Sequence, residues 1–316
     1  MGTGSRYDVI TMGRVGVDLY PEQGGVPLSE VRTFAKSLGG SPTNVAVGAA
    51  RYGHRTAVIT KVGADGFGDY VRAALQGFGV DDRFVGSDTE LHTPIVFCEL
   101  LSPESPLILF YREPSAPDMQ LSAGELDLNA IRDARIFWTT GTGLSAEPSR
   151  TATLAALEAR GRAAITVHDL DYRSMFWASP DDARAQQLEA LALATVAVGN
   201  IEECAVVVGD GPPEDLARRL LDLGLDLAIV KLGGDGVLAA WEGEVERVPP
   251  VLVRVVNGLG AGDAFGAGVC HGLLEGWDVP RTIRFASAAG AHVAARLACA
   301  DEMPDEAQVE ALLVDV

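Results

Sequence analysis

Short apolar runs rich in β-branched residues alternate along the chain with longer, alanine-rich stretches of helical spacing. The apolar runs predict strands at 7–13, 56–63, 134–141, 163–170, 194–200 and 227–234. The longer stretches predict helices at 41–53, 67–79, 147–161 and 213–224. This alternation predicts an α/β fold with a central, mostly parallel sheet and helices on both faces. Ligands of such sheets bind at the carboxyl ends of the strands.

Two segments, 17–38 and 92–118, interrupt this alternation. Both have strand-like and turn-rich sequence without a helix between the strands. We expect them to pair into a small β-sheet that stands off the main sheet and serves as a lid. Because the sequence has no internal repeat and no linker, we expect residues 1–316 to form a single domain that carries these two lid segments.

Composition and net charge limit the kinds of molecule that the chain is expected to bind. The chain has 316 residues, a hydrophobic content of 47% and a formal net charge of -19. Nucleic acid and anionic membranes are therefore poor partners, because both select basic surfaces. The four cysteines form no CxxC pair, and no apolar run approaches the ~18 residues of a membrane helix. With no signal peptide at the start of the sequence, we expect a cytoplasmic protein in a reducing compartment.

The segment "VVNGLGAGDAFGAG", residues 255–268, carries the clearest chemistry. Gly258, Gly260 and Gly262 allow positive φ angles and bring backbone amides close to a ligand, and the helix that follows offers free N–H groups. This pattern is typical of a phosphate site. Asp263 would repel phosphate oxygens unless it acts as a general base. The alternative is that the small residues serve helix packing and that Asp263 is a first-turn acid.

The same segment resembles a motif of the ribokinase-like (pfkB) carbohydrate kinases. "GGSPTNVAVGAARYG", residues 39–53, is similar to the amino-terminal motif of that family, and "NIEE" and "KLGGDGV" are similar to two further motifs. The resemblance extends over almost the whole chain. It implies a ribokinase-like fold, ATP and Mg²⁺ as cofactors, and phosphoryl transfer to a hydroxyl group of a small sugar. The catalytic residues that it implies are Gly260, Ala261, Gly262 and the general base Asp263.

The resemblance also implies a set of sugar-binding residues. They are Asp18, Gly39, Gly40, Asn44, Tyr111, Arg112 and Arg173. The two arginines match positions that meet the substrate carboxylate in members acting on acidic sugars, and guanidinium groups suit that contact. In an acidic protein, a lone arginine is more often a surface ion-pair partner.

The choice of substrate follows from these matches. The sequence is most similar to members that phosphorylate the terminal hydroxyl of 5-dehydro-2-deoxygluconate, an acidic sugar. Alternatives are 2-keto-3-deoxygluconate, the neutral sugars fructose and ribose, and a catalytically silent sugar sensor. The intact Asp263 speaks against a silent sensor.

A third set of residues is implied to bind the nucleotide. It comprises Asn200, Glu203, Lys231, Gly233, Gly236 and Ser287, with Glu203 also holding Mg²⁺ indirectly, through water. Asn followed three residues later by Glu is also a helix-capping pattern, and "GGDG" also fits a hairpin turn. The five histidines show no metal-ligand spacing, so we predict structural or surface roles for them. The lid offers a surface through which a homo-oligomer could form.

Overall fold

A computed structural model of the chain describes residues 6–101 and 107–314. Its strands are β1 (Val9–Met12), β2 (Gly16–Pro21), β3 (Phe34–Gly39), β4 (Thr56–Gly63), β5 (Val85–Asp88), β6 (Ile95–Glu99), β7 (Leu107–Tyr111), β8 (Ile136–Thr140), β9 (Ile165–Asp169), β10 (Val196–Asn200), β11 (Leu227–Lys231), β12 (Val237–Trp241) and β13 (Glu244–Val248). Its α-helices are α1 (Ser41–Arg51), α2 (Gly66–Gly77), α3 (Leu128–Asp133), α4 (Ser149–Arg160), α5 (Pro180–Leu191), α6 (Ile201–Val208), α7 (Pro213–Leu221), α8 (Ala261–Glu275), α9 (Val279–Ala294) and α10 (Glu306–Val314).

The main sheet has nine strands in the order β13-β12-β11-β10-β9-β8-β1-β4-β5. Its strands are parallel from β11 to β5, whereas β12 and β13 form an antiparallel hairpin at one edge. The predicted α/β class and mostly parallel sheet are confirmed. The hairpin-turn alternative for the glycine run after β11 accounts for the antiparallel strand β12, whereas β13 was not predicted.

Helices cover both faces of this sheet. On β1, Val9 packs with residues of α1, α8 and α9, whereas the adjacent Ile10 packs on the opposite face with residues of α4 and α5. Successive side chains of a strand point to opposite faces, so both must be apolar when both faces are covered. This double coverage accounts for the continuous apolar runs in the sequence.

The two segments without helical spacing form a separate four-stranded sheet in the order β3-β2-β6-β7. β2 pairs with β3 in antiparallel register and with β6 in parallel register, and β6 pairs with β7 in antiparallel register. The predicted small sheet is confirmed. Residues 102–106 of the predicted segment 92–118 lie outside the described residues.

Candidate active site

Polar side chains collect where the parallel strands end. Arg14 follows β1, Asp169 ends β9, and Lys231 ends β11. Because parallel strands end at the same edge of the sheet, these residues line one cavity of about 290 Å³ beneath the small sheet, called the polar cavity here. Its other charged and amide side chains are Asp18, Asn44, Arg112, Asp171, Arg173, Glu203 and Asp263.

The glycine turn forms one wall of the polar cavity. Gly260 precedes α8 with a φ of 78°, and a Cβ there would lie 2.6 Å from Cys299 Sγ. Conformation and space therefore both require glycine. Among the described residues no side chain caps α8, so its first-turn amides keep hydrogen-bonding capacity for an anion.

Asp263 lies in the first turn of α8, and its carboxylate reaches the same cavity. Asn44 donates a hydrogen bond from Nδ2 to Asp263 Oδ2 at 2.8 Å. Burial raises the pKa of Asp263, and hydrogen bonds from Asn44 and Ser41 oppose that rise. A partly buried carboxylate with a raised pKa, held in position by an amide, has the properties of a general base.

Asp18 projects from β2 into the polar cavity. Burial raises its pKa to about 7, and the nearby Arg14 acts in the opposite direction. A Cβ at Gly39 would lie 2.1 Å from Asp18 Oδ1, and one at Gly40 would lie 2.3 Å from the carbonyl oxygen of Arg14. These two glycines therefore make room for the side chain and backbone that line the cavity.

Asn44, whose Nδ2 donates to Asp263, also has a hydrogen-bond acceptor to offer. Its Oδ1 is buried and has no hydrogen-bond partner among the described residues. A buried polar atom without a partner is costly, so a ligand hydroxyl in the polar cavity would satisfy it.

Three arginines line the polar cavity, and each already has a carboxylate partner. Arg112 pairs with Asp118 at 2.5 Å and Arg173 with Asp171 at 3.2 Å. The third is Arg14, which pairs with the other oxygen of Asp171 at 2.9 Å.

Arg14 was not among the residues singled out from the sequence. Thr142 accepts a further hydrogen bond from it at 2.9 Å. Its position directly after the first strand, four residues before Asp18, is a signal that could have identified it.

The structure does not bring Tyr111 to the polar cavity. Along β7, Ile108 and Phe110 face the cavity, whereas Tyr111 lies on the opposite face with 64% of its surface exposed. Successive side chains of an extended chain point to opposite faces, so Tyr111 points away from the cavity that its neighbour Arg112 lines. The expected contact of Tyr111 with the sugar therefore has no geometric basis here.

Asn200 and Glu203 form a reciprocal cap at the start of α6. Asn200 Oδ1 accepts a hydrogen bond from the Glu203 backbone at 2.9 Å, and Glu203 Oε2 accepts one from the Asn200 backbone at 2.7 Å. This is the capping alternative predicted from the sequence. Glu203 also lines the polar cavity, so the cap fixes its carboxylate there.

Lys231 brings a positive charge to these acids. Its Nζ lies 4.0 Å from Asp169 Oδ1. Burial acts to lower the pKa of Lys231, but the carboxylates of Asp169 and Glu203 raise it above its usual range. Burial raises the pKa of Asp169 to about 7. These carboxylates therefore favour the charged form of Lys231 beside the glycine turn.

A second cavity of about 440 Å³, called the apolar cavity here, adjoins the polar cavity. The two share Lys231, Gly258 and Gly262. The walls of the apolar cavity are mainly apolar side chains and backbone, including Val237, Pro250, Val251, Leu252, Phe265 and Ala291. An elongated ligand can thus reach from the apolar cavity to the glycine turn.

The remaining predicted nucleotide residues line this apolar cavity. Gly233 and Gly236 belong to the short turn that joins the antiparallel strands β11 and β12, so the hairpin alternative describes their local structure. The same turn borders the apolar cavity. Ser287 also lines it, and its buried Oγ has no hydrogen-bond partner within residues 6–101 and 107–314.

The geometry of both cavities defines a class of protein. An anion-binding helix start joins a charged cavity to an apolar one, and a partly buried carboxylate lies at the junction. This arrangement suits transfer of an anionic group between two bound molecules. A model of the pfkB family of carbohydrate kinases matches residues 7–306, and the chain belongs to that family.

The chain is similar in sequence to two proteins that carry the same name. The chain is 34% identical over 306 residues to a 5-dehydro-2-deoxygluconokinase of Clostridium perfringens, covering 95% of this chain and 90% of the relative. It is 33% identical over 315 residues to a 5-dehydro-2-deoxygluconokinase of Shouchella clausii, covering 98% and 96%.

Solved structures share the fold. The chain superposes with a TM-score of 0.84 on a PfkB protein from Polaromonas sp. JS666, at 27% identity and with 94% and 99% of the two chains covered. A fructokinase double mutant from Vibrio cholerae O395, with fructose, ADP and potassium bound, gives a TM-score of 0.86 at 25% identity, covering 98% and 99%. Among the described residues, the helices are too short or too polar to cross a membrane.

Proposed function

We propose that this carbohydrate kinase transfers the γ-phosphoryl group of ATP to the terminal hydroxyl of 5-dehydro-2-deoxy-D-gluconate. The observation that carries the proposal is the position of Asp263, which lies at an anion-binding helix start and in the same cavity as three arginines. The relatives named for this substrate support the choice of sugar.

In the proposed reaction, the hydroxyl oxygen of the sugar attacks the γ-phosphorus. The bond between that phosphorus and the β,γ-bridging oxygen breaks, and the hydroxyl proton passes to Asp263. The first-turn amides of α8 and the ammonium of Lys231 stabilise the charge on the transferring group. The unpartnered Oδ1 of Asn44 and the carboxylate of Asp18 bind sugar hydroxyls.

The nucleotide is proposed to occupy the apolar cavity with its phosphates directed at the glycine turn. Gly233, Gly236 and Ser287 would line the base and ribose end. The carboxylates of Asp169 and Glu203 suit Mg²⁺, which prefers oxygen ligands and keeps several waters. When bound, that ion would neutralise phosphate charge, and Asn200 would hold Glu203 in place.

An acidic sugar fits the polar cavity better than a neutral one. Arg14 and Arg173 share the single carboxylate of Asp171, so the three side chains together carry a net positive charge. A substrate carboxylate would complete this pairing, whereas fructose or ribose would not. The position isomer 2-keto-3-deoxygluconate remains the second candidate, because it carries the same carboxylate.

A coupled assay of ADP formation tests the proposal. The full-length protein with MgATP is offered 5-dehydro-2-deoxygluconate, 2-keto-3-deoxygluconate, fructose and ribose, and each phosphorylated product is identified by mass. We expect the first acid to give the highest kcat/KM. A tenfold preference for the other acid would change the assigned substrate, and the absence of turnover on all four would contradict the kinase assignment for these sugars.

We also propose that residues 1–316 form a single domain with the lid segments 17–38 and 92–118, and we add proposals on the lid, the oligomer and the location. The small sheet closes over the sugar as a lid, because Phe110 and Arg112 of that sheet region line the polar cavity. Its outer face exposes Leu107 and Tyr111, which suits pairing with a second copy, and light scattering would measure the resulting mass. A cytoplasmic location is supported by four free, buried cysteines.

A further inference from the structure

Two histidines and a glutamate meet at the far ends of α1 and α8, away from both cavities. His54 follows α1, and His271 and Glu275 lie four residues apart on one side of α8. One ligand atom from each of the three lies within 4.8 Å of the others. Sequence spacing did not reveal this group, because the fold brings His54 to the other two from more than two hundred residues away.

The two imidazole rings lie within hydrogen-bonding distance of each other. His54 Nε2 lies 2.8 Å from His271 Nδ1. One proton between these two nitrogens forms a hydrogen bond. The other nitrogen of His271 then needs a partner of its own. That atom, Nε2, is buried and has no hydrogen-bond partner in the described part of the chain, and Glu306 Oε1 lies 3.8 Å from it.

The ring of His271 is fixed by its surroundings. Tyr52, Trp277 and Phe285 each pack with ring centroids 5.0 Å from that of His271. A histidine whose orientation is set by packing, with one nitrogen directed at a second histidine, resembles a preformed ligand more than a surface side chain.

We propose that His54, His271 and Glu275 bind one divalent transition-metal ion of the zinc type. Two imidazoles and one carboxylate are a donor set that suits zinc, with water in the fourth position, and Mg²⁺ prefers all-oxygen sites. Ligation through Nδ1 places the proton of His271 on Nε2, directed towards Glu306. A carboxylate behind a metal-binding histidine is the usual supporting arrangement.

The geometry requires only a small adjustment. Zinc–nitrogen bonds of about 2.0–2.1 Å in tetrahedral geometry separate two ligand nitrogens by about 3.3 Å, so the rings must move apart by about 0.5 Å. His54 is half-buried in the loop after α1 and Glu275 is exposed at the end of α8, so both can make this movement.

The charges around the site are mixed. Asp8, Glu275 and Glu306 contribute negative charge near the two rings, and Arg135 and Arg281 contribute positive charge. A bound ion would link the carboxyl-terminal end of α1 to that of α8. Asn44 and Asp263 lie at the opposite, amino-terminal ends of these helices. The proposed role is therefore to stabilise the packing of these helices, and it does not depend on the identity of the sugar.

Calorimetric titration of Zn²⁺ into the metal-stripped, full-length protein tests the proposal. Excess Mg²⁺ is present to occupy the carboxylates of the polar cavity. We expect one zinc per chain, with affinity lowered at least about tenfold by Glu275→Gln and further by His54→Ala. His92→Ala, which removes an exposed histidine elsewhere, serves as the matched control and should bind like the wild type.

Cobalt provides a second readout. Co²⁺ bound to nitrogen ligands in tetrahedral geometry gives an intense visible spectrum, which we expect for the wild type and the control but not for His54→Ala. Circular dichroism checks that each variant is folded. No zinc binding by the wild type, or unchanged zinc affinity in either Glu275→Gln or His54→Ala, would overturn the proposal.

Discussion

The polar and apolar cavities meet at the same glycine turn but differ in the side chains that line them. In the polar cavity, charged groups are paired with one another before any ligand arrives, as Arg112 is with Asp118. The apolar cavity has mainly apolar side chains and backbone, and its buried Ser287 Oγ is unpaired within the described residues. Changing one member of a buried pair leaves its partner uncompensated, whereas changing one apolar contact does not. Substitutions should therefore have larger effects in the polar cavity.

The largest effect is expected at the junction. Asp263→Asn should lower kcat roughly 10²- to 10⁴-fold, because the general base is lost while the amides of α8 remain. Nucleotide affinity, measured by calorimetry, should change little. Asp210→Asn, which alters an exposed acid, serves as the control. Turnover near that of the wild type would show that Asp263 is not the general base.

Arg112→Ala should mainly destabilise the protein. The side chain of Asp118 is only 1% exposed, so its charge would be left buried without a partner. Breaking such a pair costs about 3–5 kcal/mol of unfolding free energy, which denaturant titration can measure.

The double variant Arg112→Met/Asp118→Asn tests this reason. It removes both charges, and the amide oxygen introduced at position 118 could still accept the hydrogen bond that the Val15 backbone donates to Asp118. We expect it to recover much of the lost stability. A double variant as unstable as Arg112→Ala would show that packing of the guanidinium, and not the pair, is responsible.

Asp18→Asn should make stability less dependent on pH. In the folded protein, burial raises the pKa of Asp18 from 3.8 to about 7, so folding favours the protonated form. The wild type therefore loses stability as the pH rises through this window, and the variant lacks the part of this loss that comes from Asp18. The Tm of the variant minus that of the wild type should increase from about pH 4 to about pH 7 and then level off. A constant difference would contradict the assigned pKa.

The smallest effect is expected in the apolar cavity. Ser287→Ala removes one neutral hydrogen-bonding group, which contributes about 0.5–1.5 kcal/mol. The KM for ATP should therefore rise roughly 2- to 10-fold, with kcat and the KM for the sugar unchanged. A change in sugar affinity would show that the two cavities are coupled through α9.

The fold class and small sheet were predictable because both depend on local patterns. Predicted strand 56–63 coincides with β4, and predicted helix 41–53 begins at the same residue as α1. Strand β13 was missed because it exposes most of its side chains and has little apolar signal.

The candidate site was only partly predictable. The glycine turn and Asp263 could be found because their chemistry lies in consecutive residues. The pairing of Arg14 with Asp171 could not, because the two residues are 157 positions apart in the sequence and only the fold brings them together. Tyr111 lies outside the polar cavity, and the sequence could not show this because a match of neighbouring residues does not indicate which face of a strand each occupies.

The central claim is that the arginines of the polar cavity select an acidic sugar, and Arg173 tests it most directly. Its side chain is 43% exposed, so Arg173→Gln should leave the fold intact. At saturating MgATP, kcat/KM is measured for 5-dehydro-2-deoxygluconate and for fructose. The wild type should prefer the acid, and the variant should lose roughly 10- to 150-fold on the acid while fructose changes by less than about twofold. Wild-type preference for fructose, or equal losses on both sugars, would contradict the account.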